Sequence, residues 1–484
     1  METSFKRQAP IAILFNLGKL SILLILPLLR GFFGALTGDF FLWSRGAWID
    51  ILVVMGIIGF AVGRWANFFY QMNDSEIIIK RGVLLRESFA VPLGKVTTVS
   101  YKTGLVMRLF KCSKVFVDTP AGSSKKADLR FIVRESEAKC ILLRQGVFLG
   151  EKSYPDGFRT KSRYAILFSA LMSNSFAGTI IFSAFIYQSG DVLGRDFSDM
   201  LYGKFEEMGE RLSFGFPPAA AAIAYILLAG YFLSFLINFV NYQNFTVSGA
   251  DHSIYISSGY FNRQEHILTK SKVVYLDITQ TVLTRLMGAV NIFIRCVGFG
   301  KYKHTVSSLV PVIKKERYYN VTEHILPSYK ETKLSLKPRG ASVFRFIFFP
   351  LAIMLGLFAL RRGYLSSLRS WGQTLDYISF MAYVPCVWYM AVRLIDFSSH
   401  GVGREGSFFT LCFSEKLTLH KIIIKKENIV SINLRRSIFQ LMTGTCDVVI
   451  NTFSERRASI FQPSGKIRLK SLRYSRAREI FLEQ

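Results

Sequence analysis

Apolar and polar positions follow two different patterns along this chain, and the two patterns divide it into blocks. Long apolar stretches favour membrane-crossing helices, because about 20 helical residues span roughly 30 Å of hydrocarbon. Six stretches approach this length with few charges inside them. They are Ile11–Leu29, Trp48–Phe69, Tyr164–Tyr187, Phe214–Tyr242, Val343–Leu360 and Leu375–Ile395. The pattern therefore predicts six transmembrane helices that pair into three hairpins.

Between the predicted hairpins, short apolar runs are separated by turn residues, which is typical of β-strands. The first such stretch contains EIIIKRGVLLRESFAVP with a turn at Gly82, and the second contains SIYISSGYF with a turn at Gly259. Each stretch ends in a helical pattern, as in RFIVRESEAKCILLRQG, where Ala138, Ile141 and Leu142 recur at helical spacing. Each stretch is therefore predicted to form antiparallel strands closed by one C-terminal helix.

One sequence pattern occurs three times without gaps, once in each of these stretches. The copies read GKVTTVSYKTGLVMRLFKCSKVFVDT, SKVVYLDITQTVLTRLMGAVNIFIRC and ENIVSINLRRSIFQLMTGTCDVVINT. Equivalent positions are Val96, Val273 and Ile429, then Leu109, Leu286 and Met442, then Val117, Ile294 and Ile450. A repeat of this length indicates one structural unit used three times. The predicted boundaries are 1–69, 164–241 and 343–396 for the hairpins, and 70–150, 242–327 and 404–484 for the β units.

The charge balance bears on location. The net charge is +28, and the long stretches that hold the β units are all basic. Nucleic acid is one interpretation of such a balance, but Lys and Arg beside apolar spans collect on the cytoplasmic side of a membrane. The loop 188–213 is net acidic, whereas Arg361, Arg362 and Arg369 in the third short loop form a local exception. We expect a multi-pass protein of the bacterial cytoplasmic membrane, with both termini and all β units in the cytoplasm.

Residues that would build an active site are not gathered in the sequence. The six cysteines form no CxxC pair, and the six histidines lack metal-ligand spacing. The glycine-containing segment Gly298–Lys301 follows a β repeat and is interpreted as an ordinary turn. The sequence therefore predicts a protein that is not an enzyme, with no catalytic residues, no metal and no cofactor.

Strands followed by one C-terminal helix are the order of the pleckstrin-homology superfold, and the motifs resemble the bacterial PH (bPH2) family. The first copy carries Ile77–Ile79, Gly82, Val91-Pro92, Lys95-Val96, Arg108-Leu109 and Val115–Thr119; the second carries Ile254–Ile256, Gly259, Lys272-Val273, Arg285-Leu286, Gly288 and Ile292–Ile294. The third keeps only Asn428-Ile429, Gly444 and Val448–Thr452. The resemblance implies a polytopic α-helical membrane protein with three transmembrane hairpins and three cytoplasmic PH-like β domains, the third divergent. It also implies a smaller single-hairpin PH-domain relative as partner and a role in envelope defence or stress.

Basic clusters are the main candidate binding residues. Contact with anionic lipid headgroups is one interpretation, worth roughly 1 kcal/mol per residue near the surface; a topology signal on a solvated face is the other. The candidates are Lys80, Arg81, Arg86, Lys125, Lys126, Lys425 and Lys426. Arg108 and Arg285 occupy equivalent positions and are either partner contacts or long side chains that cover a sheet edge.

These observations favour a non-enzymatic protein whose PH-like domains mediate protein assembly at the membrane face. The expected partners are the lipid bilayer, the smaller relative and a second copy of the chain, with no nucleic acid. An anionic-lipid sensor is the first alternative. A transporter is the second, and it would need the charged residues Lys19 and Arg64 inside spans.

Overall fold

The computed structural model describes the chain in segments that cover the β units and most of the connecting helices. These segments are 5–18, 40–120, 128–148, 157–160, 162–173, 195–211, 218–260, 262–296, 308–367, 372–415, 417–453 and 466–482. The strands are β1 (Lys6–Arg7), β2 (Phe69–Met72), β3 (Glu76–Arg81), β4 (Glu87–Pro92), β5 (Thr98–Thr103), β6 (Cys112–Asp118), β7 (Leu129–Arg134), β8 (Phe158–Arg159), β9 (Thr246–Gly249), β10 (Ser253–Ser258), β11 (Arg263–Thr269), β12 (Val273–Thr281), β13 (Ala289–Cys296), β14 (Ser308–Lys314), β15 (Gly401–Glu405), β16 (Phe408–Glu415), β17 (Thr418–Lys425), β18 (Ile429–Arg435), β19 (Thr445–Thr452) and β20 (Lys466–Arg473). The helices are α1 (Phe40–Ala66), α2 (Leu105–Leu109), α3 (Glu135–Phe148), α4 (Ser162–Met172), α5 (Arg195–Arg211), α6 (Pro218–Tyr242), α7 (Val282–Leu286), α8 (Lys315–Ile325), α9 (Val343–Ser367), α10 (Gly372–Ser399), α11 (Ile438–Thr443) and α12 (Tyr474–Leu482).

Three units share one order of elements: three antiparallel strands, a 3-10 turn, a fourth strand, a short helix, two further strands and a closing helix. Unit 1 comprises β2–β7 with α2 and α3, unit 2 comprises β9–β14 with α7 and α8, and unit 3 comprises β15–β20 with α11 and α12. The strands show the two-residue period of a sheet with one buried face. In β3, for example, Ile77 and Ile79 are buried, whereas Glu76 and Ile78 are only half-buried.

The repeated positions lie where the repeat predicted. Val117, Ile294 and Ile450 are each at most 1% exposed. Each pairs with the strand residue that the repeat makes equivalent: Val99 opposite Val117, Leu276 opposite Ile294, and Ile432 opposite Ile450. The prediction that these three residues occupy equivalent buried strand positions is confirmed.

The units are joined edge to edge by continuous sheets. The fourth strand of unit 1 (β5) pairs with the third strand of unit 2 (β11), and this completes a seven-stranded sheet in the order β7-β6-β5-β11-β10-β9-β8. The fourth strand of unit 2 (β12) pairs in the same way with the third strand of unit 3 (β17). The cores follow the sheets across these joints: Ile267 of β11 packs in the core of unit 1, and Ile423 of β17 packs in the core of unit 2.

The predicted fold class is wrong in its helical part. The described residues form twenty strands in four sheets, and only two of their helices are long and apolar enough to cross a membrane, Tyr225–Tyr242 in α6 and Val343–Gly363 in α9. The apolar part of α1 is shorter, at Ile51–Ala66. The structure therefore contradicts a polytopic helical membrane protein with three transmembrane hairpins, whereas the PH-like β units fit.

The physical reason is that part of the apolar sequence packs against the β units instead of facing lipid. In α4, Phe168 is fully buried against residues of unit 2. At the end of α10, the charged Arg393 and Asp396 are buried in contacts with unit 3 instead of lying at a lipid interface. The predicted span Ile11–Leu29 falls largely outside the described residues, as does the second half of Tyr164–Tyr187.

Candidate functional site

A basic cavity of about 570 Å³ lies in unit 1, between the end of α1, the turn from β3 to β4, and strands β6 and β7. Its lining includes the apolar side chains of Phe15, Phe60 and Phe68 together with a set of charged groups. Four basic residues line it, Arg64, Arg81, Lys114 and Arg130, against the two carboxylates of Glu87 and Asp128. The cavity therefore has a positive balance with apolar walls, which suits an anionic group attached to a hydrocarbon body.

The backbone explains how these side chains come together. Arg64 lies in the last turn of α1, and a Cβ added at neighbouring Gly63 would lie 3.7 Å from the Val83 side chain, so α1 packs directly on the β3–β4 turn. That turn depends on Gly82, whose φ of +125° disfavours any L side chain. Lys114 and Arg130 project from β6 and β7 at positions that alternate with buried residues.

The charges in the cavity are only partly compensated. Arg81 donates to Glu87 across 2.9 Å, and Asp128 accepts hydrogen bonds from the Thr119 amide at 2.7 Å and its hydroxyl at 2.6 Å. Burial, with a smaller contribution from the charge of Arg130, lowers the pKa of Lys114. An anion that entered the cavity would relieve that repulsion.

The seven predicted headgroup contacts do not gather at one place. Arg81 lines the cavity, Lys80 lies over the Phe5 ring at 4.1 Å, and Arg86 is exposed in the β3–β4 turn. Lys425 lies over the Phe408 ring of unit 3, and Lys426 follows it in a 3-10 turn. Lys125 and Lys126 lie outside the described residues.

Sequence reasoning missed Lys114 and Arg130 and considered Arg64 only as a transport residue. The sequence carried no direct signal for this pair, because neither β6 nor β7 alternates strictly. The antiparallel pairing, with Lys114 opposite Ile132 and Phe116 opposite Arg130, places both cations on one face of the sheet. Arg108 and Arg285 lie where the repeat predicted, exposed on the short helices α2 and α7.

A buried carboxylate fastens α9 to unit 3. Asp447 of β19 accepts from Arg345 in the first turn of α9 at 3.0 Å, from Arg468 at 2.8 Å, and from the Gln440 amide of α11 at 2.7 Å. Burial alone would raise the pKa of Asp447, but the hydrogen bond from Arg468, that from the Ser471 amide and the charge of Arg345 outweigh it and lower the pKa. The first turn of α9 is therefore held to the sheet of unit 3 by an ionised group.

A second polar cluster fastens α10, and its composition of Ser, His and Asp invites comparison with a catalytic triad. Ser414 donates to Asp396 at 2.7 Å, and His400 Nδ1 lies 3.1 Å from the other oxygen of Asp396. His400 Nε2 accepts from the Lys470 amide at 2.9 Å. A triad needs the serine on the free ring nitrogen, which is occupied here, so the arrangement is structural.

Metal-binding geometry is also not found among the described residues, which contain no group of three or more His, Cys, Asp or Glu side chains able to hold an ion. The described cysteines are all free, and most are buried.

Comparison with known proteins agrees with the architecture of units 1 and 2. The chain matches the family described as Bacterial PH domain over residues 12–145 and 203–328, which together exceed half of its length. It is 22% identical over 436 residues to UPF0699 transmembrane protein YdbT of Bacillus subtilis (strain 168), covering 82% of this chain and 86% of that protein. No solved structure matches.

Proposed function

Because this chain belongs to the bacterial PH domain family, we propose that it is a non-enzymatic protein that assembles proteins at the inner face of the cytoplasmic membrane. Membrane attachment is supported by the two apolar helices in α6 and α9 and by the printed name of the Bacillus relative. The net charge of +28 supports a cytoplasmic location for the units, because basic residues beside apolar helices stay on that side.

The observation that carries the assembly proposal is that the units already bind one another by strand addition. At the first joint Val99 lies opposite Ile267, and at the second Leu276 lies opposite Ile423. These pairs are equivalent in the repeat, so both joints have the same register. A register used twice is a specific recognition mode of these strands, not a chance contact.

The three joined units form a series, and in the described part of the chain each end of the series has an unpaired edge strand of the kind that forms the joints. Strand β4 of unit 1 is the equivalent of β11 and β17, and strand β18 of unit 3 is the equivalent of β5 and β12. Among the described strands, neither has a neighbour on its outer edge. Both are much more exposed than their paired equivalents, with Phe89 at 38% and Val430 at 55%. Open edges of this kind are ready templates for another strand.

The occupant that fits both edges is a second copy of the chain, joined head to tail. Extending the repeated register places Asn433 of one copy opposite Phe89 of the next, and Arg435 opposite Glu87. The second pair brings opposite charges together, which supports this register. Pro92 at the end of β4 has no N–H to donate, so the joint would have one hydrogen bond fewer than the first internal joint, where the Thr269 amide donates to Thr97.

Cysteine cross-linking in native membranes tests this proposal. Two differently tagged full-length chains, one carrying Phe89→Cys and the other Asn433→Cys, are produced together and oxidised. Directly opposite residues have Cβ atoms about 5 Å apart, within the reach of a disulfide. We expect a disulfide-linked pair that contains both tags.

The matched control replaces Asn433→Cys with Val430→Cys. Val430 is exposed on the same strand but lies three residues, or about 10 Å, from the position opposite Phe89. Each variant is also paired with the unmodified chain, because Cys140 is exposed. Absence of the two-tag product, or equal yield with Val430→Cys, would contradict head-to-tail assembly. The smaller PH-domain relative is the other partner that we propose, and identification of the proteins that co-purify with the tagged chain in mild detergent tests it.

Binding of anionic lipid is the second candidate function, and the cavity of unit 1 favours it. Four basic side chains surround an apolar space that opens beside the end of α1. The measurement is the thermal stability of the purified chain with short-chain phosphatidylglycerol or phosphatidylcholine. We expect only the anionic lipid to stabilise the chain, and Lys114→Gln with Arg130→Gln to remove that difference. Equal stabilisation by both lipids would contradict an anion site.

A further inference from the structure

Each unit has one end that lies beside a long helix, and we call it the helix-side end. In unit 1 the β3–β4 turn packs on α1 at Gly63. In unit 2 the Gly259 amide, in the turn after β10, donates to the Gln243 carbonyl just after α6, at 2.8 Å. In unit 3 Ser414, next to the β16–β17 turn, accepts from Arg393 of α10 at 2.7 Å. The sheet end that carries the equivalent hairpin turn therefore meets a long helix in all three units: α1, α6 and α10.

The short helix of each unit lies at this same end. Gly104, which precedes α2, is next to Asn262 in the turn that follows β10. Arg285 of α7 lines a cavity together with Ser398 and Ser399 at the end of α10. Gln440 of α11 bonds to Asp447, which holds the first turn of α9.

The helix-side ends expose large apolar side chains, whose contact with water is unfavourable. The three equivalent residues Leu109, Leu286 and Met442 are 82%, 79% and 83% exposed. Further exposed apolar residues on the short helices or directly after them are Leu105, Val106, Phe110, Leu283, Met287, Ile438, Phe439 and Leu441. The hairpin turns add Val83, Leu84, Leu85, Tyr260 and Leu417. Single exposed apolar residues are common, but clusters repeated at the same place in three units mark a contact surface.

The opposite ends of the units differ in character. The turns there carry polar residues and no large apolar ones: Asn73, Asp74 and Ser75 in unit 1, Ala250, Asp251 and His252 in unit 2, and Gly406 and Ser407 in unit 3. The two ends of each unit therefore differ, with exposed apolar side chains at the helix-side end and polar turns at the other.

We propose that the short helices α2, α7 and α11, with the neighbouring hairpin turns, insert into the interfacial layer of the bilayer and seat all three units on it. A bilayer is a planar apolar layer, so it can contact the three equivalent short helices at once. The end of α6 and the beginning of α9 also lie at the helix-side ends of the units. The flanking cations Arg108, Arg285 and Arg436 complement anionic headgroups. This contact is additional to crossing by α6 and α9, and it rests on the membrane attachment proposed above.

Site-directed fluorescence in the full chain tests the inference. Leu109→Cys, Leu286→Cys and Met442→Cys are each labelled with an environment-sensitive fluorophore, in protein reconstituted into nanodiscs of phosphatidylethanolamine and phosphatidylglycerol. The controls are Leu143→Cys on α3 and Phe453→Cys after β19, both 57% exposed; the Phe453 amide donates to Asn428 at the polar end of unit 3. The unmodified chain is labelled in parallel, and its signal gives the background from the native cysteines.

We expect blue-shifted emission at the three short-helix positions, strong quenching by nitroxide lipids and little quenching by iodide. At the two control positions we expect the reverse. Iodide quenching at the short-helix positions equal to that of the controls would overturn the inference. Shielding from both quenchers would also overturn it, because it would mean that protein covers the short helices. Failure of the chain to float with vesicles at all would contradict the membrane attachment itself.

Discussion

The joint between units 1 and 2 contains a buried histidine, and it makes the stability of that joint depend on pH. His266 lies in β11 opposite Ser100 of β5 and is 2% exposed. Burial, with a smaller contribution from the charge of Lys102, lowers its pKa from 6.5 to about 4. In the folded protein the imidazole is therefore neutral at pH values where an unfolded chain would already be protonated.

The sign and size of the effect follow from proton linkage. Between pH 6.5 and pH 4 the unfolded state binds one more proton than the folded state at this residue, so the free energy of unfolding falls as the pH falls. Each pKa unit corresponds to about 1.4 kcal/mol, which gives a loss of about 2 kcal/mol at pH 5 and about 3 kcal/mol at pH 4. That is a large part of the stability of an ordinary domain.

The perturbation is His266→Gln, which keeps a polar side chain but removes the titration. The assay is pulse proteolysis in urea of the purified full-length chain at pH 7 and pH 5, read for fragments from units 1 and 2. We expect the unmodified chain to lose about 2 kcal/mol more than the variant on acidification. His324→Gln, an exposed substitution on α8, should keep the full pH dependence. Equal losses in the unmodified chain and in His266→Gln would refute the reasoning.

Three further substitutions test the packing. Ile294→Asp places a carboxylate where 1% of the side chain is exposed and should cost about 4 kcal/mol or more, against about 1 kcal/mol for Ile294→Val, in the same proteolysis assay; unchanged abundance and melting would exclude a core position. Asp447→Asn weakens the links to Arg345 and Arg468 and should lower the melting temperature by an amount equal to about 1–3 kcal/mol, the range reduced because Arg468 is largely exposed. Gly82→Ala would place a Cβ 1.7 Å from the Leu85 carbonyl oxygen and should destabilise unit 1 by more than Gly288→Ala destabilises unit 2, because nothing lies within 4 Å there; equal melting shifts would contradict the turn geometry.

The strands and their cores were predictable because their signal is local. The three gapless copies give equivalent buried positions directly, as the burial of Val117, Ile294 and Ile450 confirms. The exposure of Leu109 and Leu286 was not predictable, because a repeated apolar residue is equally compatible with a core. Only the folded unit shows that these residues lie on a one-turn helix whose outer face packs against no sheet among the described residues.

The helical part of the prediction was wrong because hydropathy does not distinguish lipid from protein as the apolar surroundings. Phe168 is apolar and buried, but it packs against unit 2. The edge-to-edge joints were not predictable either, since β11 and β17 read as ordinary strands and the pairing partner lies in a different repeat. The cavity cations Lys114 and Arg130 come from two strands whose register only the fold supplies.

Amide hydrogen exchange of the two open edges tests the central claim most directly. It is measured by mass spectrometry on the full-length chain in nanodiscs or native membranes, and again after dilution into detergent. If copies join head to tail, amides of β4 and β18 exchange slowly in the membrane, approaching β11 and β17, and both become fast together on dilution or in Arg435→Glu. If β4 and β18 exchange as fast in the membrane as in the diluted protein, while β11 and β17 stay protected, the strands do not receive a partner and the account is contradicted.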